Sequence, residues 1–102
     1  NTELPQQAGC AVSYDLDRGG WHVKVSASMA TTVDNIYAVG EVTGIAGADK
    51  SLIEGGLAAW NILNRQGRIG RRTIETHTVP LMRRLRWQIR YGRFLNRLCS
   101  PP

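Results

Sequence analysis

Residues 35–63, NIYAVGEVTGIAGADKSLIEGGLAAWNIL, constrain the fold of this chain more than any other stretch. Ile36, Tyr37, Ala38 and Val39 form a short apolar run with turn residues on both sides, the pattern of a buried strand. Gly40 and Glu41 end the run, and residues 44–48, GIAGA, let the backbone come close to a neighbour. From Asp49 the spacing turns helical. The stretch therefore predicts a strand, a glycine turn and a helix. Such a turn presents unpaired backbone N–H groups and the positive end of a helix dipole, which suits a site of negative charge. Glycines placed this way also serve plain helix–sheet packing, so the pattern alone leaves both readings open.

The helix is expected over residues 49–64, with Leu52, Ile53, Leu57, Trp60 and Leu63 along one side and Gly67 as its stop. Gly55 and Gly56 lie in its interior, where each glycine costs about 1 kcal/mol against alanine. Two together predict a close approach to a neighbour, either a cofactor or the first strand of its domain.

Upstream, residues 1–9 read as a loop or linker. Residues 10–14, CAVSY, make a strand, and residues 15–20, DLDRGG, are turn chemistry. Residues 21–26 alternate, with Trp21, Val23 and Val25 on one face and His22, Lys24 and Ser26 on the other. Together they predict a β-hairpin with His22 in solvent. Residues 28–34 read as a connection, and Asn35 after it tolerates the positive φ of a tight turn better than any residue but glycine.

Downstream, residues 68–76 read as a basic connector. A second helix is expected from Thr78 or Val79, with Pro80 in its first turn. Leu81, Met82, Leu85 and Ile89 form one apolar stripe, and Trp87, Tyr91, Phe94 and Leu98 form another. Between them Arg83, Arg86, Arg90, Arg93 and Arg97 recur at helical steps as a line of positive charge. The net charge of +5 hides a division, since residues 1–64 hold three basic residues and seven acids while residues 65–102 hold ten arginines and one acid. The arginine helix could meet nucleic acid, an anionic membrane surface, or another part of its own enzyme.

A length of 102 residues allows one small domain with a modest core. The chain begins at Asn1 rather than Met, which points to a fragment or a processed product. No signal peptide is visible, and no apolar run approaches the roughly 20 residues that span a bilayer. A cytoplasmic location is the default expectation. Cys10 and Cys99 lie far apart and offer neither a CxxC pair nor zinc spacing with His22 and His77. No Ser-His-Asp set or other catalytic acid, base or nucleophile is visible.

The string IYAVGEVTGIAGADKSLIEGGLAA resembles the C-terminal FAD-binding motif of the two-dinucleotide-binding-domain flavoproteins, the group that includes thioredoxin and glutathione reductases. It is most similar to the branch of FAD-containing amine and imino-acid dehydrogenase subunits, such as opine oxidase, dye-linked proline dehydrogenase and hydrogen cyanide synthase. The resemblance runs from about Gly9 to Pro102; Gly19-Gly20-Trp21 and, weakly, NTEL at residues 1–4 also recur in these flavoproteins.

The resemblance implies an α/β fold, a fragment of an FAD-binding dinucleotide fold made of a β-hairpin and strand–glycine turn–helix, followed by a basic C-terminal helix. It divides the chain into residues 1–67, the C-terminal part of the FAD-binding domain, and residues 68–102, a basic connector and amphipathic helix. It implies that Gly40, Glu41, Val42, Gly47 and Ala48 contact FAD. Glu41 stands where the wider group commonly has Asp, accepting a hydrogen bond from a ribityl hydroxyl. Gly47 and Ala48 would lie near the flavin's N1–C2=O edge, where a helix N-terminus stabilises negative charge. His77 lies where some disulfide reductases place a catalytic histidine, but its surroundings do not match and it reads as a loop residue.

The implied activity is oxidation of a C–N bond in an amino acid, imino acid or opine by hydride transfer to FAD. The N-terminal GxGxxG turn that would hold the ADP half is not in these residues, so the isolated chain is expected to be inactive and to bind FAD weakly or not at all. The implied partners are the rest of its own flavoprotein and a separate partner subunit, with self-association of the isolated piece. Two alternatives are an NAD(P)H-dependent reductase of the thioredoxin-reductase type and a small basic binding module.

Overall fold

The computed structural model describes residues 1–44 and 48–99, without the side chains of Asn96 and Cys99. In chain order it has a short helix α1 (Glu3–Gln7), strands β1 (Val12–Asp15) and β2 (Gly20–Val23), a 3-10 turn at Gly40–Thr43, and long helices α2 (Ala48–Arg65) and α3 (Arg71–Cys99). This is the expected small α/β arrangement of antiparallel hairpin, glycine turn, helix and C-terminal basic helix.

β1 and β2 pair antiparallel with Val12 opposite Val23 and Tyr14 opposite Trp21. A 3-10 turn at Leu16–Arg18 joins them, and the Asp15 carboxylate accepts from the Asp17 N–H at 2.9 Å. The exposed Tyr14 and Trp21 rings meet edge to face at 5.4 Å. His22 is not in solvent: it is 6% exposed, with Nδ1 3.3 Å from the Gly20 carbonyl. Alternation assumes one wet face. Here Val23 and its neighbour His22 are both buried, so the end of β2 is covered on both sides, and the Gly40–Thr43 turn is one of the elements packed on it.

The expected strand at residues 36–39 is reduced to one antiparallel bridge between Ala30 and Tyr37. The run folds back on the residues just before it, through Ala38 N–H to Met29 O at 3.1 Å and Thr31 N–H to Ile36 O at 2.9 Å. An apolar run becomes a strand only where a neighbouring strand extends the ladder, and among the described residues none does. The turn between the two halves is the expected one, with Asn35 at φ 65 and Ile36 N–H donating to Val33 O at 3.2 Å. Residues 1–9 are also more ordered than a linker. α1 occupies their middle, and the Asn1 side-chain oxygen accepts from the Glu3 N–H at 2.9 Å.

The core lies where α2 and α3 cross the folded-back segment. Met29, Ile53, Leu57, Ala58 and Leu85 are buried together, with Val25, Tyr37, Leu81, Met82 and Ile89 packed against them. The predicted stripe of α3 is confirmed. That of α2 is rotated: Leu52 is 76% exposed, whereas Lys50 and Glu54 are buried beside Ile53 and Leu57. α2 ends at Gly67 in a left-handed C-cap with φ 74, where Arg68 N–H reaches Leu63 O and Gly67 N–H reaches Asn64 O, both at 3.0 Å.

The expected connector before Thr78 is helical from Arg71, so Pro80 sits inside α3 rather than in its first turn. Two contacts hold this early part. Ile74 and Thr78 are buried, and His77 stacks on Trp60 of α2 at 4.0 Å between ring centres. His77 is therefore a helix residue and not a loop residue. Packing on α2 overrides the polar, proline-containing sequence.

Candidate functional site

The glycine turn owes its shape to two charged side chains of α2. Gly40 takes φ 86, a left-handed value that favours glycine, and its N–H donates to Glu54 Oε1 at 2.8 Å. Thr43 Oγ1 lies 2.8 Å from Gly40 O and 2.7 Å from Glu54 Oε1. Lys50 Nζ donates to Thr43 Oγ1 at 2.9 Å, Gly44 O at 3.0 Å and Gly40 O at 3.2 Å. It also pairs with Glu54 Oε2 at 2.9 Å, and the two side chains are only 4% and 3% exposed. A buried ion pair is tolerated when its remaining donors and acceptors are satisfied. The turn's own carbonyls, amide and hydroxyl perform that task here.

Sequence reasoning missed Thr43, Lys50 and Glu54. A signal was present, because positions 50, 53, 54 and 57 fall on one face of a helix, so a face that buries Ile53 and Leu57 must also bury Lys50 and Glu54. Gly44 serves packing as well: a Cβ there would stand 3.3 Å from Arg18 Cβ, and Arg18 Nη1 lies 3.5 Å from Thr43 O.

Of the residues that the resemblance singled out, Gly40, Glu41 and Val42 are brought together in the 3-10 turn. The Glu41 side chain is exposed, while its carbonyl accepts from the Gly44 N–H at 3.0 Å. Val42 is half-buried and lines a shallow groove with Asn1, Leu4, Pro5 and Gln7. Ala48, exposed, begins α2 and precedes the exposed Asp49. Gly47, together with Ile45 and Ala46, lies outside the described residues. Because the Gly40 N–H is bonded to Glu54, Gly40 contributes the shape of the turn rather than a donor.

Two features here are open to a ligand. Glu41 offers an exposed carboxylate to accept from hydroxyls, and α2 opens with an exposed first residue. Among the described residues no group of three His, Cys, Asp or Glu could hold a metal ion, and no helix is long and apolar enough to cross a membrane.

Part of the chain is similar to part of a known oxidase. It is 36% identical to one of the subunits of opine oxidase from Rhizobium meliloti (strain 1021) over 67 residues, which are 66% of this chain and 15% of that protein. The matched part is thus a small share of the relative's length. No family model matches the chain, and no solved structure matches it.

Proposed function

We propose that this chain forms the C-terminal FAD-binding segment of a flavin-dependent oxidoreductase that oxidises the C–N bond of an amino acid, imino acid or opine. The observation that carries the reading is the Gly40–Thr43 turn, held rigidly on α2 by Lys50 and Glu54 while the Glu41 carboxylate stays exposed. The similarity to a component of opine oxidase supports the same class. In this reading Glu41 accepts a hydrogen bond from a ribityl hydroxyl, with Gly40 and Val42 shaping the turn on either side. Gly47 and Ala48 lie near the flavin edge, where the N-terminus of α2 favours negative charge. Bound FAD would supply the hydride acceptor. Residues 68–102 carry the arginine helix, which docks on the rest of its own flavoprotein or on a separate partner subunit.

The test is made on purified full-length protein. It should carry FAD, released on denaturation and measured by absorbance, and its yellow colour should bleach anaerobically with an opine, proline or a related amine. Glu41→Ala should weaken FAD binding by about tenfold, the size of one lost hydrogen bond to a charged group. A protein that binds no FAD overturns the reading. Bleaching by NADH or NADPH in place of amines would assign it to the thioredoxin-reductase type instead.

A further inference from the structure

The site described above depends on a carboxylate that does not face it. We propose that Glu54 is a positioning residue for cofactor binding: from the second turn of α2 it sets the conformation of the Gly40–Thr43 turn and so the direction in which Glu41 is offered. This inference rests on the flavin reading.

Three observations converge on it. Glu54 Oε1 accepts from the Gly40 N–H at 2.8 Å and lies 2.7 Å from Thr43 Oγ1, so one oxygen ties both ends of the 3-10 turn to α2. The other oxygen, Oε2, is held by Lys50 Nζ at 2.9 Å, which stops the carboxylate from rotating away. Lys50 in turn donates to the carbonyls of Gly40 and Gly44, which bracket Glu41. Glu41 itself is exposed and held here through its backbone, by the Gly44 N–H bonded to its carbonyl. Its orientation is therefore decided by the backbone that Glu54 and Lys50 grip. The reach is specific. Aspartate at position 54 is one methylene shorter and cannot meet the Gly40 N–H while keeping Lys50. Glutamine keeps the length and an acceptor oxygen for the Gly40 N–H, but it turns an NH2 toward Lys50 Nζ and removes the charge that pairs with it, so it keeps the grip on the turn while costing stability.

Glu54→Asp and Glu54→Gln are compared with wild type in the full-length protein, with two readouts: the FAD dissociation constant, and hydrogen exchange of the backbone amides of the Gly40–Thr43 segment without FAD. The expected result is that Glu54→Asp speeds exchange of that segment and weakens FAD binding by about tenfold, while Glu54→Gln lowers the melting temperature but weakens FAD binding less than Glu54→Asp does. A Glu54→Asp protein with faster exchange but unchanged FAD affinity overturns the positioning role and leaves the flavin reading standing. Equal losses in Asp and Gln variants, tracking global melting temperature, overturn it too, by assigning Glu54 to stability alone. Wild-type protein that binds no FAD overturns the flavin reading and this inference with it.

Discussion

At Gly55 a Cβ would meet nothing within 4 Å, whereas at Gly56 it would stand 3.3 Å from Leu81 Cδ1. The two adjacent glycines therefore answer differently to substitution. Gly55→Ala should stabilise the protein by about 1 kcal/mol through helix propensity, whereas Gly56→Leu should destabilise it by about 1–3 kcal/mol by overfilling the α2–α3 contact. Urea denaturation of both variants checks the contrast. The neighbour that Gly56 admits is a leucine of α3. Arg65 shows how little an exposed charge contributes by comparison. Its hydrogen bond and attraction to Asp34 raise the guanidinium pKa, but the pair stands in solvent and adds little stability.

At the scale of elements, α2 carries most of the design. One face buries Ile53 and Leu57 against Met29 and Leu85, and the same face holds the Lys50–Glu54 pair under the glycine turn. Leu57 is fully buried and Leu52 is 76% exposed, although both are leucines within two turns of one helix. Leu57→Ala should therefore cost about 2–5 kcal/mol, and Leu52→Ala less than about 0.5 kcal/mol, in the same denaturation assay. α3 illustrates the converse. Its proline-containing start is helical because Ile74 and Thr78 are buried and His77 stacks on Trp60 of α2.

The whole molecule measures 49 × 31 × 16 Å across its Cα atoms, so its shortest direction holds about two packed layers of helix, whose axes stand about 8–10 Å apart. So thin a body leaves one face of α3 open. Trp87, Tyr91, Phe94 and Leu98 are between 46% and 66% exposed, with Trp87 and Tyr91 stacked at 5.3 Å and Arg83, Arg86, Arg90 and Arg93 alongside. Contiguous exposed apolar residues mark a surface that is covered in an assembly. The isolated chain should therefore self-associate in sedimentation experiments. Trp87→Ser combined with Phe94→Ser should shift it toward monomer, with its unfolding free energy changed by less than about 0.5 kcal/mol, because these side chains support nothing in the core.

Periodicity and turn chemistry located the hairpin, both long helices and the stop at Gly67, because each is specified by residues within one or two turns of each other. The Leu81–Ile89 stripe was legible for the same reason. What could not be read were features whose causes are distant in sequence. The run at residues 36–39 has a strand's composition but pairs through a single bridge, since a ladder needs a neighbour that sequence does not reveal. His22 follows the alternation of a wet face yet is buried by packing from elsewhere. The glycine turn and the acid at position 41 were evident from the sequence. Only the tertiary structure decided what holds them: the carboxylate of Glu54 and the ammonium of Lys50 are buried together, and among the described groups their hydrogen bonds are met by the backbone and the Thr43 hydroxyl of that turn.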